Sequence, residues 1–258
     1  MRGKFIPLSL PRRTVIDLLH FASAIPTVPV QRLMSLQPVV SARAACGDRP
    51  RWTAIFVKAY ALAAREFPEL RRAYIKLPWP TLYEYPLSNA SIIIERDYQG
   101  ELGLFSILIK DPAARPLRDI GEILRHASTA PIDAIKDFQR SMRFAALPRP
   151  LRRLSWWVGL NFGRQRSNFF GTFAVSVYSG LNAESLHPLT PLTTTLNYGV
   201  IDGEGKVTVR VIYDHRVVNG ATVARALARL EEILNTSLVE EIRSHPLLKK
   251  QDGKPQAQ

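Results

Sequence analysis

Two hydrophobic periodicities follow one another between Val207 and Leu234. The first has apolar residues at every second position and predicts a β-strand that contains Val207, Val209, Val211 and Tyr213. The second has apolar residues at helical spacing and predicts a helix with an apolar stripe of Val223, Leu227, Leu230, Ile233 and Leu234. In the loop between them, Gly220 permits a turn, Thr222 is a candidate helix cap, and His215 is held between two rigid elements. Catalytic side chains are often presented in this way.

The same periodicities divide the rest of the chain. Helices are predicted over residues 12–24, 37–45, 53–67, 116–128 and 131–146. Strands are predicted over residues 27–36, 89–97, 102–110, 193–201 and 206–213. With 258 residues, the chain can form one large domain or two small ones.

The charge balance indicates an anionic partner. The formal net charge is +13, which favours nucleic acid, anionic lipid head groups or a phosphorylated cofactor such as coenzyme A. No zinc-finger spacing, RNA-recognition aromatic pattern or run of lysines occurs, so nucleic acid is not expected. The histidines and the single cysteine have no metal-ligand spacing, so no metal site is expected.

The number of cysteines and the hydropathy of the chain indicate the cellular compartment in which the protein is found. Cys46 is the only cysteine, which excludes an intramolecular disulfide and is typical of a reducing environment. No run approaches the roughly 18–20 apolar residues that are needed to span a bilayer. We therefore expect the protein to be cytoplasmic.

The loop sequence DHRVVNG, which contains His215, resembles the DHRxxDG signature of dihydrolipoamide acyltransferases, the core enzymes of 2-oxo acid dehydrogenase complexes. The HxxxDG part of this signature also occurs in chloramphenicol acetyltransferase. Other segments resemble the family in the same order: an opening helix, IP turn and strand at 12–43, a long helix with a PEL segment at 52–74, and a hairpin and helix at 89–124. The segment NFFGTFAVSVYSG resembles the family's G-T-F-T-I-S strand.

The resemblance covers nearly all of residues 12–234. It implies an α/β fold, a two-layer sandwich with a mixed sheet and helices on one face, similar to chloramphenicol acetyltransferase. It also implies a homotrimer with active sites at subunit interfaces, where His215 of one chain faces Ser176 of its neighbour. We expect the catalytic domain over residues 1–240 and a polar, disordered tail over residues 241–258. The lipoyl domains and Ala/Pro linkers of the complex enzymes have no match, which favours a free-standing domain.

The implied reaction is acyl transfer from a thioester to an acceptor that the sequence does not identify. The donor would be acyl-CoA, or lipoamide supplied in trans. His215 is the candidate general base, because an imidazole with an unperturbed pKa of about 6.5 is to a large extent neutral near pH 7. By the resemblance, the hydroxyl of Ser176 stabilises the oxyanion of the tetrahedral intermediate. The structural alternatives are a loop histidine bonded to a backbone carbonyl, and a strand serine that faces solvent or Ser179.

Asn219 stands where the family has an aspartate. That aspartate pairs with an arginine of the opening helix, matched here by Arg13, and steadies the histidine loop. Asparagine keeps an acceptor for the guanidinium but loses the charge, so a weaker pair is expected and the loop can still close. Asp214 is expected to orient the loop or to cap it.

Residues 136–170 depart most from the family, because they are longer and more basic than its corresponding connection. Arginines interleaved with aromatic residues are typical of an interfacial membrane segment. One interpretation is contact with an anionic membrane, at the inner membrane surface, through Arg140, Arg143, Arg152, Arg153, Trp156 and Trp157. Two alternatives are a solvated basic helix whose aromatic residues pack on the core, and a lining for the acyl chain or the cofactor phosphates.

Two other functions stay open. One is a non-catalytic trimeric scaffold or membrane-associated assembly protein, which Asn219 and the basic aromatic segment favour and which His215, Ser176 and Gly220 disfavour. The other is a core subunit of a 2-oxo acid dehydrogenase complex that works with separately encoded lipoyl domains.

Overall fold

A computed structural model describes residues 3–177, residue 180 and residues 182–244. Across these residues the α-helices are α1 (Leu10–Ala22), α2 (Gln37–Ala45), α3 (Trp52–Glu66), α4 (Leu117–Thr129), α5 (Lys136–Ala146), α6 (Arg149–Asn161), α7 (Gly163–Phe169), α8 (Gly220–Asn235) and α9 (Ser237–Ser244). The strands are β1 (Thr27–Ser35), β2 (Arg72–Ile75), β3 (Thr81–Glu84), β4 (Asn89–Tyr98), β5 (Glu101–Lys110), β6 (Phe173–Val175), β7 (Thr194–Tyr198) and β8 (Lys206–Asp214).

One six-stranded mixed sheet organises the fold. Its strand order is β1-β8-β7-β6-β4-β5, and β2 and β3 form a separate two-stranded sheet. Strand β6 runs parallel to β4 and β7, and the other neighbouring strands in the large sheet are antiparallel. Parallel neighbours require a crossover connection, and the one between β4 and β6 contains β5 and helices α4 to α7.

Helices cover one face of this sheet. Every second side chain of β8 points into the core, as the sequence predicted, and so does the apolar stripe of α8. From α3, the ring of Phe56 stacks on Tyr198 with centroids 4.0 Å apart, and the hydroxyl of Tyr60 donates to Thr194 at 2.8 Å. The opposite face carries exposed residues such as Leu33 and Leu102. The predicted α/β architecture, a mixed sheet with helices on one face, is confirmed.

Several details differ from the sequence predictions. Strands β2 and β3 were not predicted, because they are short and flank a proline-rich turn. The helix predicted over residues 131–146 begins only at Lys136, after a 3-10 turn. Residues 241–244, assigned to the tail, belong to α9: Ile242 is buried, and Glu241 accepts a hydrogen bond from Lys58 at 2.6 Å. The rest of the predicted tail, residues 245–258, lies outside the described residues.

The basic segment 136–170 folds into α5, α6 and α7, and it does not place all of its arginines on the surface. The Nε of Arg152 donates to the carboxylate of Asp17 at 2.6 Å, and both side chains are buried. Trp156 is buried as well, with its ring stacked on Phe170 at 4.6 Å between centroids and on Phe21 at 5.9 Å. Membrane contact through Arg152 and Trp156 was therefore a wrong prediction. The side chains are turned inward because they have charged and aromatic partners there.

The other four residues predicted to contact a membrane are accessible to solvent. Arg140, Arg143 and Trp157 are exposed, and Arg153 is partly exposed beside Asp17. Among the helices that the structure describes, none has both the length and the apolar character needed to cross a bilayer.

Candidate active site

His215 lies in the tight turn between β8 and α8. Its amide donates to the carbonyl of Pro26 at 3.1 Å, and the amide of Val217 donates to the carbonyl of Asp214 at 3.0 Å, so the backbone of the turn is fixed at both ends. The imidazole is exposed and lies beside the Tyr213 ring, with centroids 5.5 Å apart. A rigid backbone therefore presents an accessible imidazole, which is what a general base requires.

Asp214 orients the turn through Arg216 rather than through the imidazole. Its buried carboxylate accepts from the amide of Arg216 at 3.0 Å and from the guanidinium at 2.7–3.2 Å. The same guanidinium lies over the ring of Tyr74, 4.5 Å from its centroid. The β8–α8 turn is thus tied to the small β2–β3 sheet.

Arg166 is a further support of this region that the sequence did not single out. It is buried, and its guanidinium donates to the carbonyls of Tyr74 at 3.1 Å and Pro191 at 2.6 Å. Burial lowers its pKa, while nearby Tyr85 and Asp214 act in the opposite direction. Burial also raises the pKa of Tyr85 to about 12. Arg166 therefore joins the segment before β7 to β2, beside the turn that holds His215.

Asn219 and Gly220 begin α8. Asn219 is the residue before the helix, and its carbonyl accepts from Thr222 and Val223, but its exposed side chain makes no capping hydrogen bond. Thr222, the predicted cap, lies within the first turn, so that prediction was wrong.

Gly220 does not have a positive φ angle, and a Cβ atom there would lie 3.0 Å from the Tyr213 hydroxyl. The turn therefore does not need a glycine, and the missing Cβ atom instead allows the close approach of α8 to β8.

Arg13 and Asn219 do not meet in the described chain. The Nε of Arg13 donates to the carbonyl of Leu8 at 3.2 Å, within the segment that leads into α1. The brace between these two residues stays a prediction.

Ser176 directly follows β6 and is buried. Its amide donates to the carbonyl of Leu196 at 3.2 Å, and its carbonyl accepts from the side-chain amide of Asn197 at 2.6 Å. Within the described residues, no hydrogen bond is formed by its hydroxyl. Ser179, the alternative partner, lies outside the described residues. The backbone of Ser176 is therefore held firmly.

A row of polar side chains crosses the sheet toward Ser176. Asn197 on β7 pairs with Arg210 on β8, which pairs with Gln31 on β1. The buried guanidinium of Arg210 donates to the Gln31 amide oxygen at 2.7 and 3.0 Å and to the carbonyl of Ser185 at 2.9 Å. A lone arginine in a valine-rich strand was the only sequence signal for this row.

The strand register separates His215 from Ser176 within one chain. Ser176 lies level with Asn197, which pairs with Arg210, and His215 lies five residues further along β8. Five residues span about 16 Å along the strand direction, and the two strand spacings from β6 to β8 add about 10 Å across the sheet. The two side chains of one chain therefore cannot act on the same carbonyl group.

A second histidine approaches the His215 turn from the segment before β7. The Nε2 atom of His187 is 2.7 Å from the hydroxyl of Thr27, the residue next to Pro26. His187 is exposed. Among the described residues, no group of three His, Cys, Asp or Glu side chains could hold a metal ion.

A cavity of about 120 Å³ lies where β4 and β6 separate. Its lining residues are Arg51, Thr53, Ile92, Ile93, Ile94, Leu124, Ser128, Val175 and Val177. None of them comes from the segment 136–170, so the idea that this segment lines an acyl or cofactor site gains no support from the cavity.

Comparison of sequences identifies no relative. No protein-family model matches the chain, and no curated protein sequence matches it.

Comparison of structures gives a clear result. A probable dihydrolipoamide acetyltransferase from Listeria monocytogenes superposes with a TM-score of 0.66 at 18% identity, covering 95% of this chain and 98% of that chain. A dihydrolipoamide acetyltransferase from Azotobacter vinelandii, studied for the role of a serine, a histidine and an asparagine in its catalytic mechanism, has a TM-score of 0.64 at 15% identity, with 92% and 93% covered. A chloramphenicol acetyltransferase has a TM-score of 0.52 at 15% identity, with 88% and 98% covered. The chain therefore has the fold of dihydrolipoamide acetyltransferases and chloramphenicol acetyltransferase, which its loop and strand motifs predicted.

Proposed function

We propose that the protein is an acyltransferase whose active site forms between two copies of the chain. The observation that carries the proposal is the exposed turn in which His215 and Asn219 are four residues apart. In the Azotobacter vinelandii enzyme, the histidine and the asparagine studied for their catalytic role are also four residues apart. The family signature quoted for the loop has an aspartate at this position, whereas this chain has Asn219. We therefore propose that Asn219 does not by itself prevent catalysis.

The register of the sheet supports a site between copies. His215 and Ser176 of one chain are too far apart to meet, yet each is placed by rigid backbone contacts. A neighbouring copy that brings its Ser176 against the β8–α8 turn would complete the site. We propose a homotrimer, because three identical head-to-tail contacts close into a ring with three equivalent sites.

The proposed reaction uses His215 as a general base and Ser176 as an oxyanion donor. The imidazole takes the proton from the acceptor, whose nucleophilic atom then bonds to the thioester carbonyl carbon. The hydroxyl of Ser176 donates a hydrogen bond to the oxygen that becomes negative. When the intermediate collapses, the carbon–sulfur bond breaks and the imidazolium returns the proton to the thiolate. The products are the acylated acceptor and a free thiol.

We propose acyl-CoA as the donor, with lipoamide supplied in trans as the alternative. A net charge of +13 attracts the phosphates of coenzyme A and raises their concentration near the protein. Lipoamide carries no phosphate, so this charge would not favour it.

The first test is turnover of a panel of acyl-CoA and acyl-lipoamide donors with thiol, amine and hydroxyl acceptors. We expect His215→Ala to lower kcat by about 10² or more, and Ser176→Ala by roughly 10²–10³. His126→Ala, a change at an exposed histidine of α4, is the matched control and should keep full activity. Equal rates for His215→Ala and the control would exclude the general-base role.

The second test asks whether the site is shared. Subunits with His215→Ala are dissociated, mixed with subunits carrying Ser176→Ala and reassembled. In a site shared between copies, mixed oligomers contain some sites with both groups intact, so part of the activity returns. If each chain had its own complete site, no mixture would be active.

The non-catalytic scaffold predicts a different set of results. It predicts a stable oligomer, no turnover with any donor and acceptor pair, and no effect of His215→Ala. A core subunit of a 2-oxo acid dehydrogenase complex predicts activity with lipoyl donors alone and co-purification of a decarboxylase.

A further inference from the structure

Helix α6 turns an apolar face outward. Leu151, Leu154, Trp157 and Val158 recur three and four positions apart, and their side chains are 46–56% exposed. Phe162, directly after the helix, is 62% exposed. We call these five residues the α6 stripe. The opposite side of α6 carries Arg152 and Trp156, which pack inward against α1, so this helix places its apolar side chains toward solvent.

The segment that carries the α6 stripe is rich in positive charge. No acidic residue occurs between Asp137 and Glu184, a segment that contains all of α6 and α7. Arg152 and Arg166 in this segment are buried. The remaining arginines reach the surface on α5, α6 and α7: Arg140, Arg143, Arg149, Arg153 and Arg164. An exposed apolar stripe in a segment whose charged side chains are all arginines is the pattern of a helix that lies in a membrane interface.

We propose that the α6 stripe docks the protein on an anionic phospholipid surface. The leucines, Val158 and the ring of Trp157 enter the boundary between head groups and acyl chains, and the arginines contact lipid phosphates. Tryptophan favours this boundary, because its ring has an apolar body and a polar N–H group. Helix α6 lies on the membrane in this arrangement and does not cross it.

Charge argues against a two-fold contact between copies of the chain through the α6 stripe. In a two-fold contact, the same patch of both copies would meet, and the arginines around one stripe would face those around the other. Like charges placed opposite one another oppose such an interface. Anionic lipid supplies the missing negative charge, and the proposal does not depend on the proposed acyltransferase activity.

The test uses the full chain and vesicles of phosphatidylcholine with or without about one third phosphatidylglycerol. The triple variant Leu151→Ala, Leu154→Ala and Trp157→Ala is compared by co-sedimentation with Leu33→Ala, Leu102→Ala and Trp79→Ala. The control residues are also exposed, 61–70%, but lie outside α6. We expect the stripe variant to lower the partition coefficient for anionic vesicles by more than ~10-fold, because its apolar contact area is removed. The control should match the native protein.

Two further readouts locate the contact. Brominated acyl chains should quench tryptophan fluorescence in the native protein and in Trp79→Phe, but much less in Trp157→Phe. Salt at about 1 M should weaken binding, because the Debye length then falls to about 3 Å.

Three results would overturn the proposal: equal binding to neutral and anionic vesicles, no binding to either, or an equal loss of binding in the stripe and control variants. So would dissociation of an oligomer by the stripe variant, which would identify the stripe as a contact between copies.

Discussion

The β8–α8 unit and the α5–α7 segment contain similar numbers of residues, but only the first was placed correctly from its sequence. In β8–α8, each apolar residue that the periodicity selected is buried, and the polar side chains of the loop after Asp214 lie at the surface. In α5–α7, the composition suggested one basic surface, yet Arg152 and Trp156 are inside while Arg149 and Trp157 are outside. Neighbouring residues of a helix point about 100° apart. Composition averages over these directions, whereas periodicity distinguishes them.

The largest effect is expected from removing Arg152, which its composition-based prediction assigned to the surface but which is buried. Arg152→Ala would leave the carboxylate of Asp17, which is 0% exposed, without its 2.6 Å partner. Loss of one partner of a buried ion pair costs about 3–5 kcal/mol, and we expect a loss of about 4 kcal/mol in the free energy of unfolding. Denaturation by urea would measure it.

Arg149→Ala is the matched control, since Arg149 lies at the exposed start of the same helix. We expect a change within about 0.5 kcal/mol. If the two variants were equally stable, the pair between Arg152 and Asp17 would have no structural importance.

The adjacent tryptophans give a second comparison. Trp156→Ala removes a buried ring that stacks on Phe170 and Phe21, and we expect a loss of about 3 kcal/mol, the lower end for a buried tryptophan. Trp157→Ala should change stability by less than about 0.5 kcal/mol, because its ring is half exposed. The melting temperatures of the two variants would show the difference, and similar values would mean that both rings are packed alike.

Local patterns were sufficient for most elements of the fold, but not for contacts between distant residues. Helix α2 and strands β4, β5 and β8 were predicted to within one residue of their ends. The pair between Asp17 and Arg152 joins residues 135 positions apart, and no local period encodes such a contact. Strands β2 and β3 were missed because each has only four residues, too few for an alternation of polar and apolar positions to be distinguished from chance.

The candidate site shows the same limit. His215 could be found from its loop motif, because the residues that define the motif are adjacent in sequence. The row formed by Gln31, Arg210 and Asn197 could not, because it depends on the register of three strands. The distance between His215 and Ser176 within one chain depends on the same register. Only the family resemblance, and no local period, implied that these residues would meet between neighbouring chains.

Asn197→Ala tests this row. The side chain of Asn197 is buried and donates to the carbonyl of Ser176 at 2.6 Å. Its loss would leave a buried carbonyl without a donor, for which we expect about 2 kcal/mol. The free energy of unfolding measures the stability, and kcat measures the effect on Ser176. Thr208→Ala, a half-buried change on neighbouring β8, is the control. If Asn197→Ala were as stable as this control, the row would not fix the end of β6.

The smallest predicted effect concerns Gly220, in the region that the sequence described well. The sequence attributed this glycine to a turn, but its φ angle is not positive, and a Cβ atom would lie 3.0 Å from the Tyr213 hydroxyl. Gly220→Ala should therefore cost about 1 kcal/mol, because Tyr213 must shift by a few tenths of an ångström. The ring of Tyr213 lies beside His215, so the imidazole resonances should shift as well. Combining Gly220→Ala with Tyr213→Phe removes the hydroxyl and should recover most of the stability. If the double variant recovered nothing, the close approach of α8 to β8 would not be the reason for the glycine.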